Sequence, residues 1–517
     1  MRISDYLDSA AAQQPDAEAL VCGSVRLTYA DCARWVHSIA TAFSHDARTQ
    51  GRVHLAIYSG NDYRVPLLQL GANRADMVWL GVHVRNSIDT NIEVLTYMDC
   101  NVVAFGPEFE SEIPRLKAAM PQVTLWLALD AASEHGTPLA TWLEGQDGEY
   151  AYAPAEMSQI ACILPTGGTT GPAKGAVHSH RSIEMELINL RLGFDIHEKA
   201  RLLTVAPLSH AAGQFALGFI PVCGCNVILK EFDPGVMLET IENERITHLF
   251  VPPTLLYSLL IHPKVRDVNL SSITCLIVGA APVSPEKFRE AIDIFGPVLY
   301  EAYAQTETLI PILAKRPADY VDSDGQVRAE VLRTSGKPPA FVRVGVMGDD
   351  GTLLARGTPG EIVVRSSMGM SHYYKQTEAT QEASAHGWHH TGDIGLMDEE
   401  GYVTLIDRKK DMIVTGAFNV YPAEVEKVIN QHACVLECIV IGIPDEKWGE
   451  AVKALVRLKP GAETSSDDII ALCKRHLGSV KAPKSVEFWP DLPRSPVGKL
   501  LRREARKQFW KGHWRSI

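Results

Sequence analysis

No unbroken apolar run in this 517-residue chain reaches the roughly 20 residues that a membrane-crossing helix needs. The longest apolar window, AAGQFALGFIPVCGCNVILK from Ala211 to Lys230, is interrupted by Pro221, Gly224 and Asn226. It reads as a buried helix running into a buried strand. Positive charge is also scarce: 50 Lys and Arg stand against 62 Asp and Glu, a formal charge of -12. That balance excludes a protein whose main partner is nucleic acid or an anionic membrane surface, and any anionic substrate must be met by local cations. Of ten cysteines the only close pairs are Cys223/Cys225 and Cys434/Cys438, with no matching second pair to complete a zinc site. Reduced, buried thiols are the expectation. The opening segment places Asp5 and Asp8 where a secretory signal needs an apolar core, so a cytoplasmic location is expected. There is no internal repeat, no G-x-S-x-G elbow and no H-E-x-x-H site to suggest a protein nucleophile or a zinc hydrolase.

What is present is ordinary soluble composition, 46% hydrophobic and 22% charged, in a length sufficient for about three domains. Short apolar runs recur between helix-like segments: NVVAF (101–105), VTLWLAL (123–129), QIACIL (159–164), LLTVAP (202–207), NVILKEF (226–232), HLFVPP (248–253) and TCLIVGA (274–280). Strands of that length alternating with helices imply an α/β fold with largely parallel sheets covered on both faces. Ser284 before Pro285 is a helix N-cap with a first-turn proline. After about residue 407 the texture changes. The basic cluster DRKKD precedes a helix from Pro422, strands over 438–443 and 453–458, and a helix over 465–477. We read residues 1–407 as a large domain and 408–517 as a small α+β domain, with the boundary at Asp407 to Lys410.

The stretch Leu164 to Gly175, LPTGGTTGPAKG, holds four glycines, three threonines and a lysine. Glycines let backbone N–H groups crowd an anion, hydroxyls add donors and the lysine adds charge. The nucleotide loop G-x-x-x-x-G-K-[ST] does not fit, because Ala173 and Gly175 stand where Gly and Ser/Thr are required. On its own the stretch is a phosphate loop of another kind or a Gly/Thr turn.

Further segments give it company. They are Pro207-Leu-Ser-His-Ala-Ala-Gly213, Gly279-Ala-Ala-Pro282, Tyr303-Ala-Gln-Thr-Glu307, Thr391-Gly-Asp393, Asp407-Arg-Lys-Lys-Asp411 and Pro493-Arg-Ser-Pro-Val-Gly-Lys499. Ser335-Gly-Lys-Pro338 and Gly360-Glu-Ile-Val-Val-Arg365 are weaker signals. In this order they resemble the adenylate-forming superfamily of acyl-CoA synthetases, peptide-synthetase adenylation domains and beetle luciferases. The resemblance covers nearly the whole chain, and the acyl- or aryl-CoA ligases are the nearest branch.

The resemblance implies roles residue by residue. Thr166, Gly167, Gly168, Thr169, Thr170, Gly171 and Lys174 form the clamp on the β- and γ-phosphates. Gly167 replaces the usual serine, and Pro172-Ala173 moves the proline one place early. Gly279, Ala280, Ala281 and Pro282 set backbone against adenine. Tyr303 stacks on the base, Thr306 contacts the α-phosphate and Glu307 holds Mg²⁺; each residue type suits its task. Asp393 accepts the ribose hydroxyls and Arg408 reaches the ribose. His210 sits beside the carboxylate and the pantetheine channel, with Ala211 and Ala304 on the acyl pocket, Ala304 standing where the family has glycine. Lys410 is the hinge, Gly416 approaches the channel and Lys499 drives adenylation. Without that context His210 reads as a structural histidine, TGD as a turn and Lys409 as part of a solvated charge run.

The implied reaction has a carboxylate attack the α-phosphorus of ATP, releasing pyrophosphate, after which a thiol takes the acyl group and AMP leaves. Coenzyme A is the expected acceptor, because little chain follows Lys499 to hold a fused carrier domain. The implied partners are a small carboxylic acid, ATP, CoA and Mg²⁺, with homodimerisation left open. An enzyme loading a separate carrier protein, a luciferase-like oxygenase and a non-enzymatic nucleotide-binding relative are the alternatives. The last would tend to lose Lys499 or Glu307, and both are present.

Overall fold

The computed structural model describes residues 1–51, 53–151, 156–166, 174–281, 283–415, 418–445, 448–494 and 500–510. Among these, two eight-stranded sheets form the bulk of the molecule. In the first, the strands run in the order Leu309–Lys315, Leu299–Gln305, Cys275–Gly279, His248–Val251, Arg201–Thr204, Cys225–Ile228, Glu18–Cys22 and Val25–Thr28. All neighbours are parallel except at the two ends. The second runs His372–Tyr373, Gly175–Ser179, Ile160–Pro165, Val78–Leu80, His54–Tyr58, Val102–Phe105, Leu125–Ala128 and Thr137–Pro138. It too is parallel apart from the pairings made by Gly175–Ser179. Strands His54–Tyr58, Val102–Phe105 and Cys275–Gly279 are buried along their whole length. This is why they read as continuous apolar runs and not as alternation.

Every apolar run singled out in the sequence is a strand, and Ser284 accepts from the Lys287 N–H to cap helix Pro285–Phe295. The apolar window from Ala211 resolves into helix Ala211–Leu217, a 3₁₀ turn and strand Cys225–Ile228. Among the described residues no helix is long and apolar enough to cross a membrane. All ten cysteines are free and nine are buried; Cys434 is half-exposed, which corrects the expectation for that residue.

A four-stranded antiparallel sheet, Arg343–Met347, Gly360–Arg365, His389–Met397 and Val403–Arg408, extends the large α/β body. The small α+β unit is a five-stranded sheet of Phe418–Val420, Ile413–Thr415, Gly449–Leu458, Val435–Asp445 and Ser485–Phe488, with helices Pro422–Ile429, Ser466–Lys481 and Arg502–Trp510. Strand Val403–Arg408 and strand Ile413–Thr415 are separated by a single 3₁₀ turn, Lys409–Asp411. The Asp407 carboxylate spans that turn, accepting from the Ala423 N–H at 2.7 Å and from Arg502 at 3.3 Å.

Candidate active site

The site is built around one strand and the turn that follows it. On Leu299–Gln305 successive side chains point to opposite faces. Tyr303 and Gln305 therefore face strand His389–Met397, while Ala304 packs on an apolar cluster that includes Phe194, Phe215, Phe250 and Tyr300. The turn after Gln305 then delivers Glu307 in a third direction.

At the first of these ends, the Asp393 carboxylate collects three donors. Tyr303 Oη and Gln305 Nε2 both donate to Oδ2, the latter at 2.8 Å, and Arg408 Nε lies 2.8 Å from Oδ1. Gln305 Nε2 also reaches the Thr391 carbonyl at 2.9 Å, and Thr391 Oγ1 accepts from the Asp393 N–H at 3.1 Å. Burial pushes the Asp393 carboxyl above its ordinary range although Arg408, Tyr303 and Gln305 oppose this. Burial, and then the Asp393 carboxylate, hold the Tyr303 phenol protonated. Because Oδ2 already accepts two donors, Asp393 can accept both ribose hydroxyls only if Tyr303 or Gln305 gives up its bond. Arg408 reaches this carboxylate because strands His389–Met397 and Val403–Arg408 pair Asp393 with Arg408.

The neighbouring Lys409 is exposed but ion-paired. Its Nζ lies 2.9 Å from Asp349 and 3.1 Å from Glu361, a buried carboxylate that also meets His390 at 3.1 Å and the Gly392 N–H at 3.0 Å. Burial alone would raise the Glu361 carboxyl, but His390, Lys409 and Gly392 hold it below its ordinary value. Lys409 thus ties the turn carrying Lys410 to the four-stranded sheet. Lys410 itself is exposed in that turn.

At the second end, Thr166 and Lys174 close the neck of the Gly/Thr loop through a bond from the Thr166 N–H to the Lys174 carbonyl at 2.8 Å. Gly167, Gly168, Thr169, Thr170 and Gly171 lie outside the described residues, as do Pro282, Gly416 and Lys499. Gly175 follows the neck, and a Cβ there would stand 2.7 Å from Ile163 Cγ2, so only glycine lets the hairpin close. The Glu307 turn is fastened to this hairpin from several sides. His178 contacts the Thr306 carbonyl through Nε2 at 2.8 Å, and the Met370 N–H donates to the Glu307 carbonyl at 2.7 Å. Burial lowers the His178 pKa to about 4, so the ring is neutral and Nε2 carries the proton it donates. Glu307 Oε1 accepts from Tyr373 Oη at 2.8 Å, and no described residue bonds to Oε2. Lys174 Nζ lies 4.8 Å from the centroid of the Tyr373 ring.

The third end joins His210, Ala211 and Ala304. Ala211, Ala304 and Ala206 pack against the same Phe-rich cluster. His210 precedes helix Ala211–Leu217, where a Cβ on Gly213 would fall 1.9 Å from the Leu208 carbonyl oxygen. The segment is anchored by buried Asn61, which accepts from the Leu208 N–H at 2.9 Å and donates to the carbonyls of Val205, Ala206 and Leu229. The His210 ring lies 3.5 Å, centroid to centroid, from His83. Burial lowers both imidazoles, His83 to about 3, so the pair is uncharged at neutral pH. Gly279 pairs with Ala302 at the adjoining strand end, and Ala280 carries φ of 69°. A left-handed conformation in a residue with a Cβ is a strain that clusters at ligand sites.

Sequence reasoning missed His83, Gln305, Glu361 and Tyr373. Gln305 was visible as the variable position of Tyr303–Glu307, and Glu361 lay inside a weak motif. His83 and Tyr373 had no signal beyond their residue type.

Residues 7–374 match the AMP-binding enzyme family and residues 424–499 the AMP-binding enzyme C-terminal domain. The chain belongs to the AMP-binding enzymes, the adenylate-forming superfamily. A feruloyl-CoA synthase from Amycolatopsis sp is 32% identical over 503 residues, covering 96% of this chain and 97% of the relative. A medium/long-chain-fatty-acid–CoA ligase of Mycobacterium tuberculosis is 35% identical over 409 residues, covering 77% and 68%. Among solved structures, the amide bond synthetase McbA from Marinactinospora thermotolerans matches with a TM-score of 0.86 at 30% identity, covering 98% of this chain and 100% of the other.

Proposed function

We propose that this protein activates a carboxylic acid with ATP, forming an acyl-adenylate and pyrophosphate, and passes the acyl group to coenzyme A with release of AMP. The observation that carries the reading is the division of labour along Tyr303–Glu307: a base-sized aromatic and the Asp393 carboxylate on one face, an apolar wall on the other and, at the turn, a Glu307 oxygen with no donor among the described residues.

In this reading Tyr303 offers its ring to adenine, and Asp393 with Arg408 takes the ribose. Thr166 and Lys174 hold the outer phosphates, and Thr306 the α-phosphate. Glu307 fits a divalent cation in a limited way. It presents one hard carboxylate oxygen, and no group of three or more His, Cys, Asp or Glu is gathered among the described residues. A Mg²⁺ ion that takes its other ligands from phosphate and water suits such a site, and its chemistry there is neutralisation of phosphate charge. The neutral His210–His83 pair borders the acyl end without adding charge of either sign. Ala211 and Ala304 pack on a wall that includes Phe194, Phe215 and Phe250, which favours an aromatic, alicyclic or medium-chain monocarboxylic acid. The small domain, residues 408–517, turns about Lys410, bringing Lys499 to the α-phosphate for the first step and the loop of Gly416 to the thiol channel for the second.

The likeness to an amide bond synthetase supports a second reading, in which an amine and not a thiol accepts the acyl group. A separate carrier protein is a third acceptor. One experiment orders these: acid-dependent exchange of pyrophosphate into ATP over a panel of carboxylic acids, then AMP release with CoA, with simple amines or with neither. Exchange plus CoA-dependent AMP release is the expected result. ADP and phosphate as products would overturn the adenylation reading, and exchange with amine-dependent release alone would replace CoA by an amine.

A further inference from the structure

Tyr373 lies outside every motif read in the sequence, on a two-residue strand that pairs Tyr373 with Ala176 and His372 with Val177. That pairing puts it beside the neck of the Gly/Thr loop. Its backbone is fixed on both sides: the Tyr374 N–H donates to the Gly175 carbonyl at 2.7 Å, and the Tyr373 N–H donates to Thr380 Oγ1 at 2.9 Å. The side chain is buried and has two working surfaces. Its hydroxyl donates to Glu307 Oε1 at 2.8 Å, and its ring face sits 4.8 Å below the Lys174 ammonium. Lys174 has no carboxylate partner among the described residues, so the π-face is what orients its charge.

We propose that Tyr373 is a positioning residue which sets the phosphate lysine and the cation carboxylate at a fixed separation. By engaging Oε1 it leaves Glu307 Oε2 for a divalent cation, and it holds Lys174 Nζ over its ring. The proposal rests on the acid-activating reading of the site. One further fact supports it. A phenol donor leaves the Glu307 charge intact for a cation, as a lysine or arginine partner would not.

The test separates hydroxyl from ring. Binding of a non-hydrolysable ATP analogue is titrated with and without Mg²⁺, with no acid present, for the wild type, Tyr373→Phe and Tyr373→Leu. In Tyr373→Phe the Mg²⁺ concentration giving half of the metal-dependent gain in affinity rises about 10-fold, as loss of one hydrogen bond to a charged group warrants, while metal-free affinity is unchanged. In Tyr373→Leu metal-free affinity falls as well. The metal dependence of Glu307→Gln is not worsened further by Tyr373→Phe, because both act through the same carboxylate. Wild-type Mg²⁺ dependence in Tyr373→Phe, or equal losses in Phe and Leu variants together with a lowered melting temperature, would overturn the proposal. A wild-type protein that binds no nucleotide would instead overturn the adenylating reading, and this proposal with it.

Discussion

The two ends of the candidate nucleotide site are held in opposite ways. At the Asp393 end the protein satisfies itself: Tyr303, Gln305 and Arg408 converge on one carboxylate with no ligand required. At the Glu307 end it does not, since Lys174 rests on an aromatic face and Glu307 keeps one oxygen without a described donor. A closed polar network is rigid, and a ribose enters it by exchanging its hydroxyls for a bond that Tyr303 or Gln305 makes to Asp393. A pair of opposite charges held apart is electrostatically unfinished, and it is completed by a ligand carrying both signs, such as metal-bound triphosphate. Binding geometry is thus built in at one end and charge demand at the other.

The largest effect is expected at Lys499, which the proposed reaction brings to the α-phosphate. Lys499→Ala is expected to slow adenylation about 10²-fold or more while sparing conversion of supplied acyl-adenylate to thioester, measured as separate half-reactions. Equal losses in both steps would refute the alternation of the small domain between the two steps. Next, Asp393→Ala removes the acceptor shared by the Tyr303 phenol, the Gln305 amide and the Arg408 guanidinium. ATP affinity should fall about 10-fold or more and the melting temperature should fall with it. Lys174→Ala should lower ATP affinity by a similar factor and leave the melting temperature unchanged. Matching thermal losses in the two variants would break the comparison.

A smaller effect probes what supports the charge-demanding end from behind. Glu186, on helix His180–Gly193, is fully buried and accepts from the Ile310 N–H at 3.2 Å, just past the Glu307 turn. Burial raises its pKa from 4.5 to about 8. The folded state therefore binds a proton that the unfolded chain has lost. Its contribution to stability is largest below pH 4.5, falls as pH rises through this window and is flat above about 8. Glu186→Gln should raise the melting temperature at pH 8.5 by a few degrees and leave it unchanged at pH 4.5. A pH-independent difference would show that the carboxyl does not titrate in this window. The smallest expected effect is at Ala304. Removing its methyl group should shift the ratio of kcat/KM values toward bulkier acids by about 10-fold, the low end of what the roughly 1–3 kcal/mol of one methylene-sized change gives. An unchanged profile would place the acyl chain elsewhere.

The sequence by itself determined the α/β architecture, the strands over 101–280 and membership of the adenylate-forming enzymes. Buried parallel strands need continuous apolar runs, and the residues proposed to meet phosphate, base and ribose come from contiguous segments such as Tyr303–Glu307 and Thr391–Asp393, whose residue order is itself the signal. The folded arrangement alone shows that Gln305 locks Asp393, that Lys409 is tied by ion pairs to Asp349 and Glu361, that His83 lies against His210, and that Tyr373 bridges Glu307 and Lys174. The physical reason is that these side chains acquire their meaning from neighbours far away along the chain. A lone tyrosine at position 373 has no periodicity or spacing to mark it. It becomes informative when an antiparallel pairing sets it beside residue 176 and a turn held by His178 brings Glu307 to its hydroxyl.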